Sequence, residues 1–147
     1  MNPTLRPSTP EDLDWLEVFY ERLMRPIVEL SHHWHPTAFR KSFDPSITFI
    51  IQFDGEDIGM LRLQETEECI HLRDIQVRKE FQGRGVGSAI LNDIISRADA
   101  SGLPVRLRVL TGNRARHWYK RLGFRAVYEE AHASLMERPA TNSNASP

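Results

Sequence analysis

Apolar residues at Leu13, Leu16, Val18, Phe19, Leu23 and Met24 turn one face of a helix toward a core. Ahead of them, Ser8-Thr9-Pro10-Glu11-Asp12 offers a capping hydroxyl, an early proline and acidic first-turn residues. Pro26 is expected to break or end this helix, because proline has no N–H and its ring clashes with the preceding turn. Ile27 to Leu30 would add at most a turn or two, Leu5-Arg6 reads as a short strand, and Ser31 to Pro36 reads as an irregular loop. Ile47 to Phe53 and Ile58 to Leu63 are β-rich runs around Asp54-Gly55, a hairpin signal.

The next strand, Cys69 to Val77, has apolar residues at even positions (Ile70, Leu72) and then at odd ones (Ile75, Val77). The phase slips near Arg73-Asp74. A β-bulge, one extra residue, would keep both pairs on the core side; the alternative is a strand buried on both faces near its end. Val86, Ala89, Ile90, Ile94, Ile95 and Ala98 then follow a helical period, which Gly102-Leu103-Pro104 stops. Val105, Leu107 and Val109 alternate with Arg106 and Arg108, as in a strand with one buried face. Asn113 is placed to cap a short helix through Leu122, ended by Gly123, and Phe124 to Tyr128 and Ala133 to Met136 are further strands. Residues 139–147 lack an apolar anchor and are expected to form a disordered tail after a single domain over 1–138.

The chain has 147 residues, 40% hydrophobic and 27% charged, which suits one ordinary domain. With 19 basic against 20 acidic side chains there is no global field to gather nucleic acid or an anionic membrane, so any phosphate binding must be local. The single cysteine, Cys69, excludes an internal disulfide framework and a cysteine-rich zinc site. No signal-peptide pattern or membrane-spanning apolar run is present, and the expectation is a cytoplasmic protein without nucleic-acid or membrane partners.

Three glycines at alternate positions in Gln82-Gly83-Arg84-Gly85-Val86-Gly87 lie between a strand and the longest helix. Such a loop leaves its N–H groups uncovered, and the helix's first N–H groups and dipole point at the same place, which suits phosphate. No Gly-Lys-Ser/Thr follows, so this is not a P-loop, and Ser88 and Ile90 stand where a dinucleotide fingerprint would want glycine.

These residues resemble the GNAT superfamily of acyl-CoA-dependent N-acyltransferases. Its coenzyme motif, Gln/Arg-x-x-Gly-x-Gly/Ala after a bulged fourth strand, is matched by Gln82 through Gly87. Its second signature, an Asn opening a short helix that ends in Tyr-x-x-x-Gly-Phe, is matched from Asn113 to Tyr119-Lys120-Arg121-Leu122-Gly123-Phe124. The likeness spans roughly Ile47 to Met136, and residues 1 to 46 match only in layout. It implies an α/β fold: a mixed, mostly antiparallel seven-stranded sheet with a bulged fourth strand and about four flanking helices. It also implies acetyl-CoA as acyl-donor cosubstrate. The pyrophosphate would rest on the amides of Gln82, Gly83, Arg84, Gly85, Val86, Gly87 and Ser88, and the pantetheine arm would pair with the backbone of Ile75 and Val77. Asn113 would contact the pantetheine or position the short helix. Arg116 or Lys120 would meet the nucleotide phosphates or simply form a solvated face.

Acyl transfer to an amine needs a neutral amine, a polarised carbonyl and a proton for the departing thiolate. An alkyl amine is neutral only about once in 2,500 molecules at pH 7, a handicap of about 4.6 kcal/mol that a base or desolvation must offset. By the resemblance, a backbone N–H near Val77 would polarise the thioester oxygen. Tyr119 is the candidate acid at the coenzyme's sulfur, or else an aromatic packing the short helix beside Trp118 and Phe124. Histone-acetylating relatives carry a glutamate base on the fourth strand; here the corresponding position, eleven before Gln82, is His71. An imidazole mostly neutral at pH 7 suits the role. Asp74, Glu67, Glu68, His33, His35 and a water chain are alternatives.

The segment His32-His33-Trp34-His35 falls where the family places its first substrate-facing loop, so His33, Trp34 and His35 are expected to line the acceptor site, with Phe39 as a further apolar contact. Packing is the alternative, and no metal is expected, because neighbouring loop histidines need a distant partner such as His71 or His132 to converge. His132 and Met136 would close the acceptor pocket or pack. Cys69 is read as core, which favours direct transfer over a covalent intermediate. The expected activity is acetyl transfer to a primary amine of a small molecule by a monomer or homodimer. The alternatives are a protein or peptide acceptor and a catalytically silent acyl-CoA-binding module.

Overall fold

A computed structural model describes residues 2–141. The sheet has seven strands: β1 (Thr4–Pro7), β2 (Thr48–Phe53), β3 (Glu56–Glu65), β4 (Ile70–Val77), β5 (Val105–Leu110), β6 (Arg125–Glu129) and β7 (Ala133–Arg138). Their spatial order is β1-β2-β3-β4-β5-β7-β6, antiparallel throughout except for the parallel β4–β5 contact. Among the described residues the α-helices are α1 (Leu13–Val28), α2 (Ala38–Ser42), α3 (Val86–Ser101) and α4 (Ala115–Arg121). This is the mixed, mostly antiparallel architecture expected. Among the described residues no helix is long and apolar enough to cross a membrane.

Two cores sandwich the sheet. On one face Ile90, Leu91, Ile94 and Ala98 of α3 and Tyr119 of α4 bury against Leu61, Ile70, Leu72, Val105 and Leu107. On the other, Leu16 and Phe19 of α1 and Phe39 of α2 cover Ile50 and Met60. The alternation of a pleated strand sends Met60 and Leu61 to opposite cores. Asp54 and Gly55, both at positive φ, close the β2–β3 hairpin.

Helix α1 departs from expectation by running through Pro26 to Val28. The proline lies in the last turn, where one missing N–H removes little, and Glu29 N–H still donates to Arg25 O at 2.9 Å. The five-residue α2 had no periodic signal, being too short to show one. Strand β3 outruns its apolar segment because it pairs with β4 from Gly59↔Val77 to Glu65↔Ile70 and with β2 back to Glu56↔Phe53. Residues 139–141 are not a free tail: the Thr141 N–H and hydroxyl donate to Asp99 at 3.0 and 2.8 Å, beside the Arg138–Asp99 ion pair. The rest of the expected tail, 142–147, lies outside the described residues.

The bulge falls where the apolar phase slipped. Arg62 pairs with Asp74 and Leu63 with Leu72, leaving Arg73 as the extra residue on β4. Ile75 and Val77 thereby return to the same core as Ile70 and Leu72.

Candidate active site

Strands β4 and β5 pair only at Ile70↔Val105 and His71↔Arg106. Beyond that point they part, since a bulge bends its strand and increases its twist. Leu72 to Val77 on one side and Leu107 to Leu110 on the other border a cleft of about 1540 Å³. Strand β4 therefore presents Ile75 and Val77 along the cleft with no β5 partner.

The glycine loop stands at one end of this cleft. Gly83 and Gly85 hold φ of +77° and +80°, and a Cβ at either would find no protein atom within 4 Å. Their backbone faces open space, and Gly85 is the N-cap of α3, whose dipole directs its positive end there. Gln82 steadies the loop by donating from Nε2 to Val77 O at 2.9 Å. Gly87 does a second job: a Cβ there would sit 3.3 Å from the Trp118 ring, so its absence lets α4 approach α3. Ser88 accepts from Trp118 Nε1 at 3.3 Å. Gln82, Gly83, Gly85, Val86, Gly87 and Ser88 all border the cleft, whereas Arg84 stacks its guanidinium over Phe81 at 5.2 Å and is not part of the wall.

Tyr119 borders the cleft from α4 while its ring, 8% exposed, packs on Trp118 and Phe124 at centroid distances of 5.2 and 5.6 Å. Burial, reinforced by the negative charge of Asp74, raises its phenol well above the ordinary range, so it stays protonated at neutral pH. Asn113 also borders the cleft, and its Oδ1 accepts from Ala115 N at 3.0 Å, opening α4. Arg116 points elsewhere: its guanidinium donates to Ser134 Oγ and to Glu129 at 2.9 Å, outside the cleft wall.

At the bulge, Arg62 Nε donates to Asp74 Oδ2 at 2.7 Å, and the guanidinium lies over the rings of Tyr20 and Phe39 at 5.4 and 5.1 Å. Burial raises the Asp74 carboxyl despite the opposing pull of Arg62, and burial with the Asp74 charge pushes the Tyr20 phenol up to about 12. His71 is half-buried in the cleft wall. Burial first, and then the positive charges of Arg73 and Arg106, lower its imidazole below 6.5 and favour the neutral ring. Tyr20 and Arg62 were not singled out from the sequence. The available signal was an arginine inside the apolar run Met60-Leu61-Arg62-Leu63, with Asp74 on the next strand.

The histidine loop is placed differently from expectation. His33 and His35 are exposed and meet edge-on at 5.4 Å, while Trp34 is 8% exposed and packs beside Tyr20 at 6.1 Å. None of the three borders the cleft, because the loop turns the indole inward under α1 and the two imidazoles outward to water. The preceding residues instead approach the turns that follow β5 and precede β7. Leu30 reaches Gly112, after β5, closely enough that a Cβ there would meet its Cδ1 at 2.7 Å, and His32 meets His132 edge-on at 5.4 Å. Among the described residues no three His, Cys, Asp or Glu side chains gather as a metal site would require. Cys69 is buried at the start of the cleft wall.

Residues 44–126, which contain the bulged strand, the glycine loop and α4, match the family model of the acetyltransferase (GNAT) domain. The chain belongs to the GNAT acetyltransferase family. Within this GNAT family, an uncharacterized N-acetyltransferase of Methanocaldococcus jannaschii is 30% identical over 135 residues, which cover 82% of this chain; the chain spans 60% of the length of that relative. The fold is also that of solved GNAT proteins. A PaiA N-acetyltransferase from Thermoplasma acidophilum, in complex with coenzyme A, superposes with a TM-score of 0.75 at 16% identity, covering 95% of this chain and 99% of that one. The ribosomal-protein-S18-alanine N-acetyltransferase from Escherichia coli gives 0.70 at 19% identity, covering 99% of each.

Proposed function

We propose that this GNAT domain transfers an acetyl group from acetyl-CoA to a primary amine of a small molecule by direct attack. The observation that carries the reading is the parting of β4 from β5 directly beside the Gly83–Gly85 loop, which joins a strand edge without a partner to a set of uncovered amides. Backbone groups of Ile75 and Val77 suit an amide-bearing arm, and the amides from Gln82 to Ser88 at the α3 N-terminus suit a diphosphate.

In this reading the thioester reaches the bulge with Tyr119 on one side and the acceptor on the other. His71, kept neutral by its surroundings, accepts the proton that the attacking amine loses. Tyr119, kept protonated, donates a hydrogen bond to the sulfur as negative charge develops there. Asp74 is a weaker choice of base, since its carboxylate is held by Arg62. The approach of Leu30 to Gly112, which borders the cleft after β5, favours a small acceptor over an extended chain.

Thiol release from acetyl-CoA across a library of small amines and N-terminal peptides tests the reading. Turnover confined to small amines supports it. Turnover of peptides alone would move the function to protein N-acetylation, and coenzyme binding without thiol release from any acceptor would leave a silent acyl-CoA-binding module.

A further inference from the structure

The cleft as a whole carries an unbalanced charge. Its wall holds six arginines against three acids and contains no lysine. Three of these arginines are matched by acids, Arg62 by Asp74, Arg106 by Glu137 at 2.8 Å and Arg108 by Glu130 at 3.1 Å, while Arg114 and Arg121 stand at the two ends of α4. Of the wall arginines carried by the sheet, Arg73 alone has no acid partner among the described residues: its Nε and Nη2 both converge on one neutral oxygen, Gln64 Oε1, at 3.2 and 3.1 Å.

The position of Arg73 is set by the backbone. As the bulge residue it has no β3 partner, and it stands exposed between His71 and Asp74 at the point where β4 leaves β5. An edge of guanidinium with two parallel N–H groups is the geometry that a carboxylate fills with two charge-assisted bonds, and Gln64 occupies it with one neutral acceptor atom. A carboxylate arriving there would displace a weak partner at a site that no protein acid has claimed.

We propose that the acceptor is an amine that carries a carboxylate close to its amino group, an amino acid in the chemical sense, and that Arg73 is the residue that selects it. The inference rests on the acetyl-transfer reading and names the acceptor class of that same site. With the carboxylate on Arg73, the amino group of such a molecule falls within the neighbourhood of His71, and the surrounding positive charge favours the neutral, reactive amine over the ammonium. The same charge disfavours diamines and polyamines, which would bring a second ammonium against an arginine-rich wall. The lowered imidazole of His71, caused in part by Arg73, is consistent with that local excess.

The test compares matched acceptors that differ only in the carboxylate: L-phenylalanine with L-phenylalaninamide, and L-lysine with cadaverine. The amide amine is the less basic of the first pair, so its neutral fraction is larger, and a preference for the acid can come only from recognition. The expected result is a kcat/KM roughly 10-fold or more higher for the acid, the worth of a charge-assisted pair, and a ratio at or below one in Arg73→Gln, where only the larger neutral fraction of the amide remains. Equal or better use of the amide and of cadaverine, with robust thiol release, overturns the inference and leaves acetyl transfer standing. A second measurement is independent of turnover: calorimetric binding of N-acetyl-L-phenylalanine and its amide to the protein saturated with coenzyme A. Tighter binding of the acid that is lost in Arg73→Gln supports the acceptor class even if no acetyl transfer is seen, and equal binding in both proteins overturns it.

Discussion

Arg62 and Asp74 are register partners across β3 and β4, one step past the bulge, and their paired side chains are only 13% and 11% exposed. The pair stands where a sheet must accommodate an extra residue and open a cleft at once. Its charges are satisfied by each other and by the faces of Tyr20 and Phe39, so the bulge has a fixed polar core.

Breaking this pair leaves a buried charge without compensation, and Arg62→Met is expected to cost about 3 kcal/mol of stability. Replacing both partners, as in Arg62→Met with Asp74→Leu, should recover most of it. The loss depends on pH. Burial already holds the Asp74 carboxyl above its ordinary range, and removing Arg62 raises it further. A carboxyl raised in the folded state favours folding while protonated and disfavours it once ionised, so the destabilisation of Arg62→Met should grow from pH 5 to pH 8. Urea unfolding at the two pH values measures it, and a loss independent of pH would show that Asp74 does not carry the cost.

Gly85→Val separates folding from coenzyme binding. A valine at φ +80° costs about 1–2 kcal/mol of backbone strain, but its Cβ meets no protein atom, so the domain should still fold. Its side chain would project over the amides proposed to hold the diphosphate. Calorimetry should show acetyl-CoA affinity weakened by more than about tenfold, the worth of one charge-assisted hydrogen bond. Affinity near that of the parent in a folded variant would remove the loop from the binding site.

What the sequence revealed and what it concealed divide along the range of the interactions. The bulge was legible because alternation is a local rule, and two apolar pairs of opposite parity around Arg73 violate it unless a residue is added. The Asp54-Gly55 hairpin and α3 followed from equally local signals. The course of α1 through Pro26 was not legible, since the weight of a proline depends on how close the helix end lies, and that is set by packing. The partners of Arg62 and Arg116 come from other strands, so no window of sequence contains them. The expectation for His33, Trp34 and His35 rested on residue type and loop position, and neither determines which way an indole turns when α1 offers it an apolar seat beside Tyr20.

His71 supplies a prediction in pH. Its imidazole is lowered from 6.5, and a general base works in its neutral form. At saturating acetyl-CoA and acceptor, kcat should therefore rise with pH through an inflection below 6.5 and then level off. His71→Gln should lose that inflection along with roughly 100-fold of the rate. An inflection retained in His71→Gln would assign the base to another group, with Asp74 the nearest alternative on the same strand.

Tyr119→Phe tests the acid against the packing reading that the same side chain supports. The substitution keeps the ring between Trp118 and Phe124 and removes only the hydroxyl, so the core on that face of the sheet should hold. If the phenol serves the departing thiolate, the variant loses an interaction made in the transition state alone: kcat falls about 100-fold while acetyl-CoA affinity stays within about twofold. If the hydroxyl instead positions the coenzyme, affinity falls and turnover at saturation is preserved. Because burial and the Asp74 charge both hold the phenol above its ordinary range, Tyr119 remains protonated through neutral pH, and the ratio of parent to variant rates should be flat from pH 6 to pH 9. A ratio that collapses within that window would mean that the phenol ionises there, and the role of proton donor would pass to solvent.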